Sequence, residues 1–331
     1  MNGSEVDGVL VTWGERLFYP GNRIVRTPPT ARLDAMTRRK ASVIRQRITA
    51  LAVRRAPQVM VKVTGGGRGV GAIAAHFRYI SKHGRLPIED DRGVTRTGKE
   101  ALHDLVEQWR YGGSLIDEVS DRREAFNIML SMPAGTNADL LQKAVREFAQ
   151  AELSGHRYVM VLHEHQANPH VHLSVRAESA TGKRLNPRKT DLHRWRETFA
   201  EKLTGWGIDA EATRQATRGV TRNYEPLWRQ RAREDGRLRR QGTPSKTGPK
   251  QAASRSMAAQ SWAHILKALA TSESVGDRQL AVHVARYVKG MPAVRERFEQ
   301  RQVDRSPERQ QVAKPVFRDR QPGTDGPDFS R

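Results

Sequence analysis

Apolar and β-branched residues alternate with polar ones over Gln58–Thr64 (QVMVKVT), a period of two that predicts a strand. The period lengthens over Gly71–Lys82, where Ile73, Phe77 and Ile80 share one stripe of a helix. Glu124–Met132 has strand character again and is stopped by Pro133, and Asn137 is placed to cap an amphipathic helix running to about Leu153. Arg157–His165 and His170–Glu178 predict two more strands, and Asp191–Trp206 a helix opened by an acid. The order predicts an α+β domain over residues 57–225, a two-layer arrangement of an antiparallel or mixed sheet with helices mainly on one face.

The flanks read differently. Residues 1–56 carry a basic block (Arg38, Arg39, Lys40, Arg45, Arg47, Arg54, Arg55) with little core pattern before Ala41–Leu51. Beyond residue 225 the apolar density falls, and Arg229, Arg231, Arg233, Arg237, Arg239, Arg240, Lys246 and Lys250 crowd one stretch. Short helices are expected at Ser261–Ala270 and Arg278–Lys289, and the last twenty or so residues read as disordered. Residues 1–56 and 226–331 are therefore expected to be basic, flexible extensions.

Charge sharpens this picture. Across 331 residues, 58 Lys and Arg stand against 36 Asp and Glu, a net charge of +22 that points to a polyanionic partner. No apolar run approaches the roughly 18 residues of a membrane span, and the amino terminus does not read as a signal peptide, so no membrane insertion and a cytoplasmic location are expected. With no cysteine, any metal site must use His, Asp or Glu. Gly67–Ala72 (GRGVGA) matches G-x-G-x-x-A between a strand and a helix, but no second parallel strand ending in an acid follows about 20 residues later, as a dinucleotide site requires.

The densest chemistry lies in His163–His172 (HEHQANPHVH). Asn168-Pro169 interrupts two strands, so a four-residue loop at 166–169 predicts a hairpin in which His165 faces His170 and His163 faces His172. A period of two then places all four imidazoles on one face, with opposed Cβ atoms about 5 Å apart, close enough to share an ion. Imidazoles suit zinc, copper, nickel or iron, so a zinc hydrolase is a competing reading, although no H-E-x-x-H helix is present. In so basic a chain, a three-histidine site with open positions more naturally takes a phosphate oxygen of DNA.

This run resembles the third motif of plasmid mobilization and conjugative relaxases of the HUH endonuclease superfamily, with the H-hydrophobic-H core at His170-Val171-His172. His76–Gly84 (HFRYISKHG) is similar to their first motif, and Ser131–Thr136 (SMPAGT) resembles the second, in the family's order over about 58–222. The resemblance implies a five-stranded antiparallel sheet with helices behind it, Tyr79 as nucleophile, and His163, His170 and His172 as ligands of one Mg²⁺ or Mn²⁺ ion. Ser131, Ser174, Arg176, Arg78 and Lys82 are the expected DNA contacts, while His165 stands where many relatives have an acid, either orienting a ligand ring from behind or serving as an alternative ligand. The implied function is strand-specific nicking at a plasmid or mobile-element transfer origin through a 5′-phosphotyrosine, then strand transfer and rejoining. Implied partners are single-stranded origin DNA, accessory relaxosome proteins and a type IV secretion coupling protein. A rolling-circle replication initiator with the same chemistry, or a DNA-binding protein with no covalent step, are the alternatives.

Overall fold

The computed structural model describes residues 1–19, 35–165, 168–221, 227–237 and 248–305. In chain order the elements are α1 (Gly3–Phe18), α2 (Ala35–Ala52), β1 (Met60–Gly65), α3 (Val70–Ile80), β2 (Ile88–Asp90), β3 (Thr95–Arg96), α4 (Lys99–Tyr111), β4 (Ala125–Ser131), α5 (Ala138–Glu152), β5 (Tyr158–His163), β6 (His170–Arg176), α6 (Lys189–Gly205), α7 (Leu227–Glu234), α8 (Pro249–Ala270), α9 (Val275–Lys289) and α10 (Pro292–Arg305).

The α+β class holds. Six strands form one sheet in the order β1-β4-β6-β5-β2-β3, every pairing antiparallel. The count exceeds the expected five because a Gly- and Asp-rich stretch contains the small β2–β3 hairpin. Buried Asp90 organises it, accepting from the amides of Arg92 (3.0 Å) and Val94 (2.9 Å) and pairing with Arg96 (2.8 Å).

Strand alternation sends Ile128 and Leu130, Tyr158 and Met160, and Val171, Leu173 and Val175 into one core. There they meet Phe148 of α5 and Trp195, Phe199 and Leu203 of α6. The opposite face is covered in part. Val159, Val161 and Ala125 pack against Ile73, Phe77 and Ile80 of α3 and Leu102, Leu105 and Trp109 of α4. Helices thus stand on both faces, and α3 ends over the strand positions that carry the histidines. Asn137 caps α5 as expected, its side chain accepting from the Leu140 amide at 2.9 Å.

The described parts of the flanks are not loose extensions. Asn2 and Glu5 form a reciprocal capping box that starts α1. Val6, Leu10, Leu17 and Phe18 of α1, and Ile44, Ile48 and Leu51 of α2, share a core with Trp262, Ile265 and Leu269 of α8 and Val284 of α9. The basic block misleads because its charges are met from other elements. Arg45 reaches Asp7 (2.6 Å) and Asp277 (2.8 Å), Arg47 reaches Glu211 (2.6 Å) and Glu197 (3.0 Å), and Lys40 reaches Glu15 (3.3 Å). The expected helices at Ser261–Ala270 and Arg278–Lys289 are the C-terminal parts of the longer α8 and α9. The basic residues Arg239, Arg240 and Lys246 and the last twenty residues lie outside the described residues. No described helix is long and apolar enough to cross a membrane.

Candidate metal centre and tyrosine

The β5–β6 hairpin pairs His163 with His170 and Val161 with His172, a register two residues away from the one expected. The reason is Pro169. It has no N–H for the ladder, and its carbonyl is engaged toward β4, accepting from the Met132 amide and the Ser131 hydroxyl, each at 3.2 Å. The turn therefore runs over 164–169, and residues 166–167 are outside the described set. The face assignment is unaffected, since a two-residue shift preserves it.

On that face the ring centroids of His163, His170 and His172 lie 4.7–5.0 Å apart. One nitrogen from each falls within 4.8 Å of the others. Hydrogen bonds set two tautomers. His163 Nε2 lies 2.6 Å from the Ile80 carbonyl, and a carbonyl can only accept, so Nε2 carries the proton and Nδ1 keeps its lone pair. His170 Nδ1 donates likewise to the Asn168 carbonyl at 3.0 Å, leaving Nε2 free. The Nδ1 atoms of His163 and His172 are buried without any hydrogen-bond partner. Burial pulls all three pKa values below the ordinary imidazole range, that of His172 to about 3, with the neighbouring histidines adding to the effect. Three neutral imidazoles with convergent nitrogens, those of His163 and His172 buried and unpartnered, fit a divalent cation, because ligand histidines must be deprotonated and held by second partners. His165 is exposed, its ring 5.2 Å from His163, and is not one of the three that converge.

Tyr79 lies in the last turn of α3, 70% exposed, with its ring edge-on to His172 at 6.5 Å. The next residue, Ile80, supplies the carbonyl that orients His163, so one helix end sets both the tyrosine and a histidine. That end is fixed by an unusual turn. Ser81 Oγ donates to the Phe77 carbonyl (2.7 Å) and accepts from the Gly84 amide (3.0 Å), while Lys82, His83 and Gly84 are all left-handed, with φ of 50°, 61° and 85°. For Lys82 and His83 that conformation costs energy the surroundings must supply, a pattern that clusters at functional sites.

Residues 79–207 match a family model described as the MobA/VirD2-like relaxase, nuclease domain. Over this segment the chain is similar to relaxase nuclease domains of the HUH type. T-DNA border endonuclease VirD2 of Agrobacterium fabrum (strain C58) is 27% identical over 206 residues, covering 54% of this chain and 45% of that protein. The T-DNA border endonuclease VirD2 of Rhizobium radiobacter is 26% identical over 186 residues, 49% of this chain and 43% of that protein. The chain therefore spans less than half the length of these relatives.

Of the five residues expected to touch DNA, three are turned to internal work. Ser131 is buried and tethers the hairpin turn through Pro169. Ser174 is fully buried and donates to Asn127 Oδ1 at 3.1 Å. Arg176 is 3% exposed and donates to the carbonyls of Trp109 and Ser114, beneath α4. Alternation placed Ser174 and Arg176 on the histidine face, but α3 and α4 cover that end of it. Arg78 is exposed and Lys82 half-buried, both beside Tyr79.

From sequence, His76 has no role beyond its place in the first motif. It sits three residues before Tyr79 on the same helix face, its ring 6.3 Å from Tyr79 and 6.4 Å from His172, with Nε2 buried and unpartnered. Burial lowers its pKa to about 4. The H-x-x-Y spacing was the available signal. The Gly67–Ala72 run has its amides engaged within the protein, Val70 N donating to the Asp117 carbonyl (2.9 Å) and Gly71 N to that of Glu118 (3.4 Å).

Proposed function

We propose that the chain nicks one DNA strand by transesterification, with Tyr79 as nucleophile. Tyr79 Oη gives up its proton and attacks the scissile phosphorus, the Oη–P bond forms as the P–O3′ bond breaks, and the leaving 3′ oxygen takes up a proton, so that none is gained or lost overall. The 5′-phosphotyrosine conserves the phosphodiester energy, so the strand can be rejoined after transfer without ATP. The observation that carries this reading is the exposed Tyr79 ring set against His172 at the edge of three convergent, neutral imidazoles. Its position within a relaxase nuclease domain supports it further.

His163, His170 and His172 would hold one divalent cation, Mg²⁺ or Mn²⁺, which when bound supplies positive charge to the oxygens of the scissile phosphate. The chain's own residues do the rest. The Ile80 and Asn168 carbonyls hold two rings in one tautomer, and the Ser81–Gly84 turn fixes Tyr79. Arg78 and Lys82 supply cations where a phosphate backbone would pass. The substrate is single-stranded DNA at a plasmid or mobile-element transfer origin, and the names of the relatives, T-DNA border endonucleases, support an endonuclease. Accessory relaxosome proteins and a type IV secretion coupling protein are the proposed partners, in the cytoplasm.

Replacing His170 and His172 together by Ala should abolish Mg²⁺- or Mn²⁺-dependent nicking of an origin oligonucleotide. Most of the affinity should remain, because phosphate contacts by Lys and Arg dominate it. Loss of binding in proportion to loss of cleavage would count against the metal centre.

A further inference from the structure

A second cationic site lies away from the histidines, where α2 and the end of α1 meet α6. His193 of α6 is surrounded by Arg47, Arg196 and Arg214, which all act on it electrostatically, and its ring is 6.1 Å from that of Tyr19. Arg47 holds the carboxylates of Glu211 and Glu197, the latter also 4.0 Å from His193 Nε2, and lies over the rings of Phe18 and Tyr19, at 4.7 and 4.9 Å. Arg196 and Arg214 are left without a carboxylate among the described residues. Arg196 makes one long bond, from Nη2 to the Val61 carbonyl at 3.4 Å. Arg214 donates from Nη2 to the Arg16 carbonyl at 2.9 Å, and its Nε is buried without a partner. Beside them opens a cavity of about 530 Å³ lined in part by Tyr19, Arg39, Lys40 and His193. Its acid, Glu15, is paired to Lys40 at 3.3 Å.

Half-burying two guanidinium groups with no counter-charge is costly, and native proteins normally pair such groups. Burial indeed pushes the pKa of both arginines down. Among the described residues, Arg39, Lys40, Arg47, Arg196 and Arg214 meet the acids Glu15, Glu197 and Glu211, which leaves an excess of positive charge. The seam also has a route to the histidines. Arg196 rests on the backbone of edge strand β1, and the next residue, Lys62, is exposed on the histidine face. Lys62 pairs with Met129, which pairs with His172, so the lysine stands two strand spacings, about 10 Å, from the metal centre.

We infer that the seam of Arg196, Arg214 and His193, with Arg39 and Lys40 at its mouth, binds backbone phosphates of the same DNA strand whose scissile phosphate sits at Tyr79, the strand passing over β1. The inference rests on the relaxase reading for its ligand, but its test needs no cleavage. In the full chain carrying Tyr79→Phe, binding of a single-stranded origin oligonucleotide is followed by fluorescence anisotropy across a salt series. Adding Arg196→Gln and Arg214→Gln should weaken binding at low salt and lower the magnitude of the log–log salt slope by about 1.4, two phosphates at about 0.7 each for single strands. Arg39→Gln, an exposed position that does not endanger folding, should lower it by about 0.7. Unchanged slopes in both would overturn the inference, as would an acidic peptide of equal charge binding more tightly than the oligonucleotide and losing its affinity in the same variants. A wild-type chain that forms no DNA adduct would sink the relaxase reading while leaving the slope result to stand by itself.

Discussion

Replacing Trp262 by Ala tests whether the helices outside the nuclease match belong to one folded unit with it. Trp262 is 2% exposed on α8, packs edge-on to Tyr287 at 5.5 Å, and donates from Nε1 to the Thr217 carbonyl at 2.9 Å. That bond ties the terminal bundle to the segment that follows α6. Emptying the indole site costs about 3–5 kcal/mol in transfer and cavity terms, and leaving a buried carbonyl unpaired adds about 1–3 kcal/mol. Against a total stability of about 5–15 kcal/mol this is a large share. At roughly 2–4 °C per kcal/mol for a domain of this size, the unfolding midpoint should fall by roughly 8 °C or more. Trp262→Phe keeps most of the packing and removes the N–H, so a smaller drop of about 2–12 °C is expected. Circular dichroism during heating measures both. A Trp262→Ala midpoint within about 2 °C of the parent would refute the shared core of α1, α2, α8 and α9.

Two further outcomes follow from the site itself. Burial holds His76 near a pKa of about 4 and His172 near about 3, below the unfolded value of about 6.5, so below pH 6.5 the unfolded chain binds protons the folded chain does not. The stabilisation is complete above that pH and falls as pH drops toward 4. Discounted by half for partial exposure, the two groups together should cost the metal-free protein roughly 2 kcal/mol between pH 7.5 and 5, read by urea unfolding, and a protein stabilised on acidification over this range would contradict it. Gly84→Ala adds a Cβ at φ 85° that would lie 2.7 Å from the Gly98 carbonyl carbon, whereas Gly93→Ala, at φ 80°, meets nothing within 4 Å. Gly93→Ala should cost about 1–2 kcal/mol, and Gly84→Ala more, with a fall in nicking as the turn behind Tyr79 shifts; equal stability and activity for the two variants would refute the role of that turn.

What was legible in the sequence was the local part. Period-two alternation put His163, His170 and His172 on one face, and the helix period gave the stripe of α3 and the cap of α5 at Asn137. The hairpin register was missed because it depends on where the Pro169 carbonyl goes, a contact with β4 that lies 37 residues back in sequence at Met132. Ser174 and Arg176 were read as surface because their covering helices, α3 and α4, come from elsewhere in the chain. The terminal bundle was partly readable. Asn2 and Glu5 carry a capping-box spacing, and Val6, Leu10 and Leu17 a helical stripe, but the basic text of α2 outweighed them. Its charges are neutralised by Asp7, Glu211 and Asp277, partners that only the tertiary structure brings together.

The central claim is that the Tyr79 oxygen becomes bonded to DNA. Tyr79→Phe removes that oxygen alone, and the ring is 70% exposed, so the fold, the histidine cluster and origin binding should persist. The measurement uses origin oligonucleotides labelled on either side of the nick, incubated with Mg²⁺ or Mn²⁺ and resolved on denaturing gels. Wild type should yield a denaturant-resistant protein–DNA adduct carrying the label from the 3′ side of the nick, and Tyr79→Phe should yield neither adduct nor cut strand. Free cut ends from Tyr79→Phe would indicate activated water instead of tyrosine, and a surviving adduct would place the nucleophile on another tyrosine, with the exposed Tyr111 next to be tested.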